Sequence, residues 1–141
     1  MTTVIIDYNS GNLRSAEKSF QLMSEELNLG KVKVSNKPED VVNADRVVLP
    51  GVGAFADCKH ELSSIMGLYE AIEAHVKTGK PFMGICVGMQ MMATCGHEHG
   101  YHEGFNWIQG DVKIMEPNDK NLKIPHMGWN NLNILNSHPV F

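Results

Sequence analysis

The stretch Phe82 to Gly88 (FMGICVG) constrains the fold of this chain more than any other. Phe82 to Ile85 is a nearly all-apolar run, the pattern of a central parallel strand covered on both faces. Overlapping it, Gly84-Ile85-Cys86-Val87-Gly88 follows G-x-C-x-G, a cysteine version of the nucleophile elbow G-x-S-x-G. Such an elbow is a strained turn from strand into helix, and a Cβ at either flanking position would crowd the neighbouring strand and helix. The central residue is lifted above the sheet edge. The motif also sets a thiol at a helix N-terminus, where partial positive charge favours the thiolate, so Cys86 is the candidate catalytic nucleophile. The plainer reading of a cysteine is a small buried hydrophobe. The two glycines and the strand before them favour the elbow.

The rest of the chain supplies strands and helices in alternation, which points to a parallel sheet. Thr3 to Tyr8 is a short apolar run ending in the turn-prone Asn9-Ser10-Gly11-Asn12, after which Leu13, Ala16, Phe20, Met23 and Leu27 recur at helical spacing. Lys31 to Ser35 has the period of a second strand, and Pro38-Glu39-Asp40 suits the first turn of a short helix. Arg46 to Leu49 reads as a third strand. A Gly-rich loop and one long helix follow, with Leu62, Ile65, Met66, Tyr69, Ile72 and Val76 on one face, stopped by Gly79 and Pro81. His60 and His75 are expected at exposed positions of that helix. From Val87 the chain turns helical again. Beyond Cys95 the pattern changes: Gly96 to Gly104 is a polar, His-rich loop, Val112 to Met115 and Asn130 to Leu135 look like later strands, and Glu116 to Lys123 is a turn-rich connection. The segment after Gly104 is expected to form an antiparallel extension. These elements predict an α/β fold, a mainly parallel sheet with helices on both faces, in a single domain over residues 1–141.

Charge and cysteine usage exclude several classes of function. The net charge is −4 and no basic block occurs, so neither nucleic acid nor an anionic membrane is an expected partner. The apolar run in the opening MTTVIID is too short for a signal-peptide core, and no segment approaches the ~20 apolar residues of a membrane span. A cytoplasmic protein is expected. Cys58, Cys86 and Cys95 are odd in number and form no CxxC pair, which favours free thiols over a disulfide framework. Cys95, His97, His99 and His102 crowd one loop, but the spacing C-x-H-x-H-x₂-H has no standard separation between ligand pairs. The loop reads as solvated, with no metal and no cofactor expected.

A second loop, Pro50-Gly51-Val52-Gly53-Ala54-Phe55, follows the third strand. In an elbow enzyme an amide of such a neighbouring loop joins the amide after the nucleophile to form the oxyanion hole, which here names Val52, Gly53 and Val87. Gly51 and Gly53 would let the peptide around Val52 turn its N–H toward the site. Gly51, Gly53 and Ala56 also match the dinucleotide fingerprint G-x-G-x-x-A, yet the acid that motif needs ~20 residues on falls inside the long helix. A tight turn with no further role is the plainest alternative.

Four motifs in order now carry a resemblance across essentially the whole chain. Gly84 to Gln90 resembles the elbow of class I (triad) glutamine amidotransferases, and Pro50 to Gly53 resembles their oxyanion loop. Asp7 to Ser15 (DYNSGNLRS) and Pro125 to Asn130 (PHMGWN) are similar to signatures of the glutaminase subunits of imidazole glycerol phosphate synthases within that family. The resemblance implies that Cys86 attacks the side-chain amide of glutamine to form a γ-glutamyl thioester. It implies that the released ammonia passes to a cyclase subunit making imidazole glycerol phosphate in histidine biosynthesis. Gln90 and Glu98 would hold glutamine; spacing alone puts Gln90 one helical turn beyond Cys86 and leaves Glu98 in a polar loop, where a glutamate is more often solvated. Asn12 and Trp129 would face the partner subunit, although Trp129 could equally pack against the sheet, and His126 would be structural or line the same side.

The family also places its triad histidine and acid in a His-Pro-Glu stretch beyond the Pro-His-Met-Gly-Trp signature. Ser137-His138-Pro139-Val140 offers a His-Pro pair with Val140 where that glutamate would stand, so His138 is assigned no catalytic role. The chain therefore reads as the N-terminal portion of a longer glutaminase domain, inactive by itself. The alternatives are a non-catalytic fragment that binds the synthase subunit or glutamine, and another Cys-elbow amidotransferase or hydrolase.

Overall fold

A computed structural model of the chain describes residues 1–137. Strands β1 (Thr2–Ile6), β2 (Lys31–Ser35), β3 (Arg46–Gly51) and β4 (Phe82–Cys86) form a parallel sheet in the order β2-β1-β3-β4. Helix α1 (Leu13–Glu26) links β1 to β2, α2 (Pro38–Val42) links β2 to β3, and α3 (Phe55–Ser64) and α4 (Leu68–Lys77) link β3 to β4. Each begins where local chemistry permits. Asn12 Oδ1 accepts the Ser15 amide at 3.3 Å to cap α1, and α2 opens on Pro38 with Glu39 and Asp40 in its first turn.

The single long helix expected after the third strand is two. Ile65 is extended (φ −88°, ψ 110°) and Gly67 is left-handed (φ 77°), which breaks the helix between Ser64 and Leu68. Helical spacing survives the break because Leu62, Leu68 and Ile72 all reach the same core, and periodicity cannot register a kink that returns to the same face. His75, expected to be exposed, is buried at 2%. Its Nε2 lies 3.1 Å from the Pro81 carbonyl, so tertiary contact turned this polar position of α4 inward.

The two faces of the sheet are covered unequally. By the period-two alternation of strands, Val4, Ile6, Tyr8, Val47 and Leu49 share one face, and there they pack with Val41, Leu62, Leu68, Ile72 and Met91 in the main core. Burial of each such aliphatic side chain contributes about 1.5–3 kcal/mol. The opposite face is covered by α1, leaving an apolar groove of about 480 Å³ lined by Phe20, Met23, Val48, Phe82 and Met83. Strand β4, expected at the centre, is the edge of this sheet among the described residues, and Met83 is half exposed. Its apolar run reports the packing of its side chains, whereas its place in the sheet depends on which strand lies beside it.

The helix expected from Val87 is the single turn α5 (Val87–Gln90), after which β5 (Ala93–Gly96), β6 (His102–Glu103) and β7 (Ile108–Val112) make a small second sheet. β6 runs antiparallel to β5, but β7, the strand that follows Gly104, runs parallel to it, so the antiparallel extension expected after Gly104 is not formed among the described residues. The strand expected at Val112 to Met115 thus lies earlier, and Asn130 to Leu135 forms none. Residues 113–137 contain turns, including one at Asp119 to Leu122, but no helix or strand. The small sheet is fastened to the main core by an aromatic row, Tyr69 against Phe105, Phe105 against Trp107 and Trp107 against Phe82, with ring centroids 5.1, 4.8 and 5.2 Å apart. Lys59 Nζ lies over the Phe105 ring at 4.8 Å and donates to the Gly104 carbonyl at 3.3 Å. No helix of the described residues is long and apolar enough to cross a membrane.

Candidate active site

Cys86 stands where β4 turns into α5, with φ 55° and ψ −118°, a conformation a non-glycine residue adopts only when its surroundings enforce it. The enforcement comes from both glycines of the motif. A Cβ on Gly88 would lie 1.9 Å from the Leu49 carbonyl oxygen, and one on Gly84 would lie 2.6 Å from the Met89 Cα. The thiol is exposed and makes no hydrogen bond among the described residues. The helix behind it is one turn long, so the local positive charge comes from the few free amides of Val87 to Gln90 and not from a long dipole.

The Pro50–Gly53 loop lies directly alongside. Gly51 is the register partner of Cys86, and a Cβ on Gly51 would come within 2.5 Å of the Gly88 amide nitrogen. The Val52 N–H, however, is not turned toward the thiol. It donates to Ser10 Oγ at 3.0 Å, and that hydroxyl donates back to the Val52 carbonyl at 2.7 Å. Tyr8 OH donates to the Pro50 carbonyl at 2.6 Å, and Cys58 Sγ lies 3.2 Å from Ser10 Oγ. Burial pushes the Tyr8 phenol well above its usual ionisation range, with the nearby Cys58 thiol the next cause. Gly53 has φ 119° and open space where a Cβ would be, so this peptide has room to turn.

Gln90 and Glu98 line one cleft of about 830 Å³, together with Phe55, His97, Val112 and Lys113. Glu98 is exposed, yet it has a structural task beyond solvation: its Oε2 accepts the Phe55 amide at 2.8 Å and so caps α3, whose own N-cap residue, Ala54, has no side-chain acceptor. Asn12 is exposed and caps α1. Trp129 is fully exposed at 103% and packs on no sheet, and His126 is exposed as well. His138 lies outside the described residues. Of the crowded loop residues, only Cys95 and His97 come together, joined by Asp111 of β7, while His99 and His102 stay apart from them.

The family model "Glutamine amidotransferase class-I" matches residues 4–138. The chain belongs to this family. It is 57% identical over 141 residues to the imidazole glycerol phosphate synthase subunit HisH of Cereibacter sphaeroides, covering 99% of this chain and 66% of that protein. Proteins of the same name from Ruegeria pomeroyi and Bradyrhizobium diazoefficiens are 54% and 52% identical, over 100% and 99% of this chain and 67% and 66% of theirs. The chain thus spans about two-thirds of the length of these relatives. In this class I amidotransferase, Tyr8, Ser10 and Cys58 brace the loop beside the nucleophile, a role that no motif in the sequence marks. A polar turn directly after the first strand was the available signal, but only the β1–β3 pairing reveals what it touches.

Proposed function

We propose that this chain carries the nucleophile and oxyanion side of a glutaminase that supplies ammonia to a cyclase subunit making imidazole glycerol phosphate in histidine biosynthesis. One observation carries the reading: the strained, exposed Cys86 stands at a strand-to-helix elbow in register with Gly51 of the neighbouring loop. The names of the relatives supply the substrate and partner classes. In the proposed reaction the Cys86 thiolate adds to the glutamine side-chain carbonyl carbon, the C–N bond breaks, and the nitrogen leaves as ammonia after taking a proton. Water then cleaves the thioester to glutamate and restores the thiol. Gln90 and Glu98 orient glutamine in the cleft. Val87 N–H and a Val52–Gly53 amide stabilise the oxyanion, which requires the Val52 peptide to leave Ser10. Asn12 and Trp129 lie on the face offered to the cyclase subunit.

The test is a glutamine analogue bearing an electrophile at the side-chain carbonyl position, applied to the protein in complex with a relative's cyclase subunit. The expected product is one adduct on Cys86, suppressed by excess glutamine and absent in Cys86→Ser. Labelling first at Cys58 or Cys95, or labelling that glutamine does not suppress, overturns the reading.

A further inference from the structure

We propose that Cys95, His97 and Asp111 form a binding site for a borderline-soft divalent cation, Zn²⁺ in preference to Co²⁺, with a fourth position open to water. The three side chains already bring their donor atoms together. Cys95 Sγ is 3.6 Å from His97 Nε2 and 3.4 Å from Asp111 Oδ1, and His97 Nε2 is 3.0 Å from Asp111 Oδ2. Around a tetrahedral zinc with bonds of about 2.3 Å to sulfur and about 2.0–2.2 Å to nitrogen and oxygen, the ligand-to-ligand edges come to about 3.5 Å for those involving sulfur and about 3.3 Å for nitrogen to oxygen. The Cys95–His97 edge already fits. The two Asp111 contacts run through different carboxylate oxygens, and with one donor atom taken from each residue all three lie within 4.8 Å of one another, so a turn of the Asp111 side chain completes the set.

The backbone, not chance contact, brings the three together. Cys95 and Asp111 are register partners on β5 and β7, and the His97 amide donates to the Val112 carbonyl at 3.0 Å. Cys95 is buried, while His97 and Asp111 are exposed, which leaves one side of the cluster open to an arriving ion and its water. One thiolate, one carboxylate and a neutral imidazole carry two negative charges, matching a divalent ion. Thiolate and imidazole donors select Zn²⁺ over Mg²⁺ and Ca²⁺, which take oxygen ligands. The cation now beside the carboxylate is Lys113, whose Nζ lies 3.3 Å from Asp111 Oδ2. Its side chain is 64% exposed and can swing into water without leaving a buried charge behind. His97 immediately precedes Glu98 and lines the same cleft, so a bound ion would also fix the loop that caps α3.

The experiment titrates reduced, chelator-treated protein carrying Cys86→Ser, so that the exposed elbow thiol cannot contribute, first with Co²⁺ and then with Zn²⁺. One equivalent of Co²⁺ should give a thiolate-to-cobalt charge-transfer band and the visible bands of a tetrahedral site. Zn²⁺ should erase both, and Mg²⁺ should not. Asp111→Asn and His97→Gln should each weaken binding at least ~10-fold, Cys95→Ser should remove the charge-transfer band, and His99→Gln should change nothing. Absence of the band, its survival in Cys95→Ser, or an affinity unchanged in both Asp111→Asn and His97→Gln overturns the proposal. Thermal midpoints measured without metal show which variants fold, and Asp111→Asn, nearly isosteric, decides the matter if Cys95→Ser does not.

Discussion

Residues 84–88 and 125–130 are both short glycine-containing motifs of the same family resemblance, and they meet opposite surroundings. At Gly88 there is no room for a methyl group, because the Leu49 carbonyl stands 1.9 Å from where it would be. At Gly128 the nearest side-chain atom a methyl would meet is in His126, 3.8 Å away, and the following Trp129 is wholly exposed. The elbow is held by the register of β3 against β4 and owes its shape to atoms far away in the sequence. The later motif leaves Met127 and Trp129 exposed among the described residues, with no packing to fix its shape. Two motifs equally legible in the sequence thus differ in the fold: only one of them is part of the packed framework.

The sharpest way to break this contrast is to add the missing methyl at both glycines. Gly88→Ala should cost about 3 kcal/mol or more, since backbone must move to relieve the overlap, while Gly128→Ala should stay within ~0.5 kcal/mol of the parent; urea midpoints measure both. Next in size is a pair of leucines. Leu62 is fully buried in the main core and Leu132 is 77% exposed, so Leu62→Ala should cost about 2–5 kcal/mol and Leu132→Ala should be nearly silent. Equal losses in the two leucine variants would mean that residues 113–137 pack in solution.

Trp129→Ala sharpens the comparison from the binding side. It should weaken affinity for the cyclase subunit by ~2 kcal/mol with an unchanged thermal midpoint, as calorimetry of the complex and a melt of the free chain would show. A lowered midpoint with unchanged affinity would instead make Trp129 a core residue. The smallest effect is expected at the brace of the Pro50–Gly53 loop, where Tyr8→Phe removes one buried hydrogen bond and should cost about 1–1.5 kcal/mol. Its pH dependence has a definite sign. The folded phenol ionises above the unfolded value of about 10, so its stabilising share is complete below that pH and is lost as pH rises beyond it. Stability above about pH 10 should therefore fall more steeply in the parent than in Tyr8→Phe, as urea unfolding on either side of that pH would reveal.

What the sequence determined by itself is what short-range chemistry decides. Alternating apolar runs and helical spacings set out β1 through β4 and their helices, and two glycines around Cys86 marked the elbow, because a strand-to-helix turn this tight tolerates no Cβ on either side of the central residue. Helical spacing from Leu62 to Val76 could not show the break at Gly67, since both helices present their apolar residues to the same core. Tertiary structure alone decided the pairings across long stretches of chain. It turned the Val52 amide onto Ser10, set Glu98 at the start of α3, buried His75, and brought Asp111 against Cys95 and His97. Each of these joins a residue to a distant partner through strand register or helix packing, and such a partnership leaves no period or spacing in the local sequence from which it could be read.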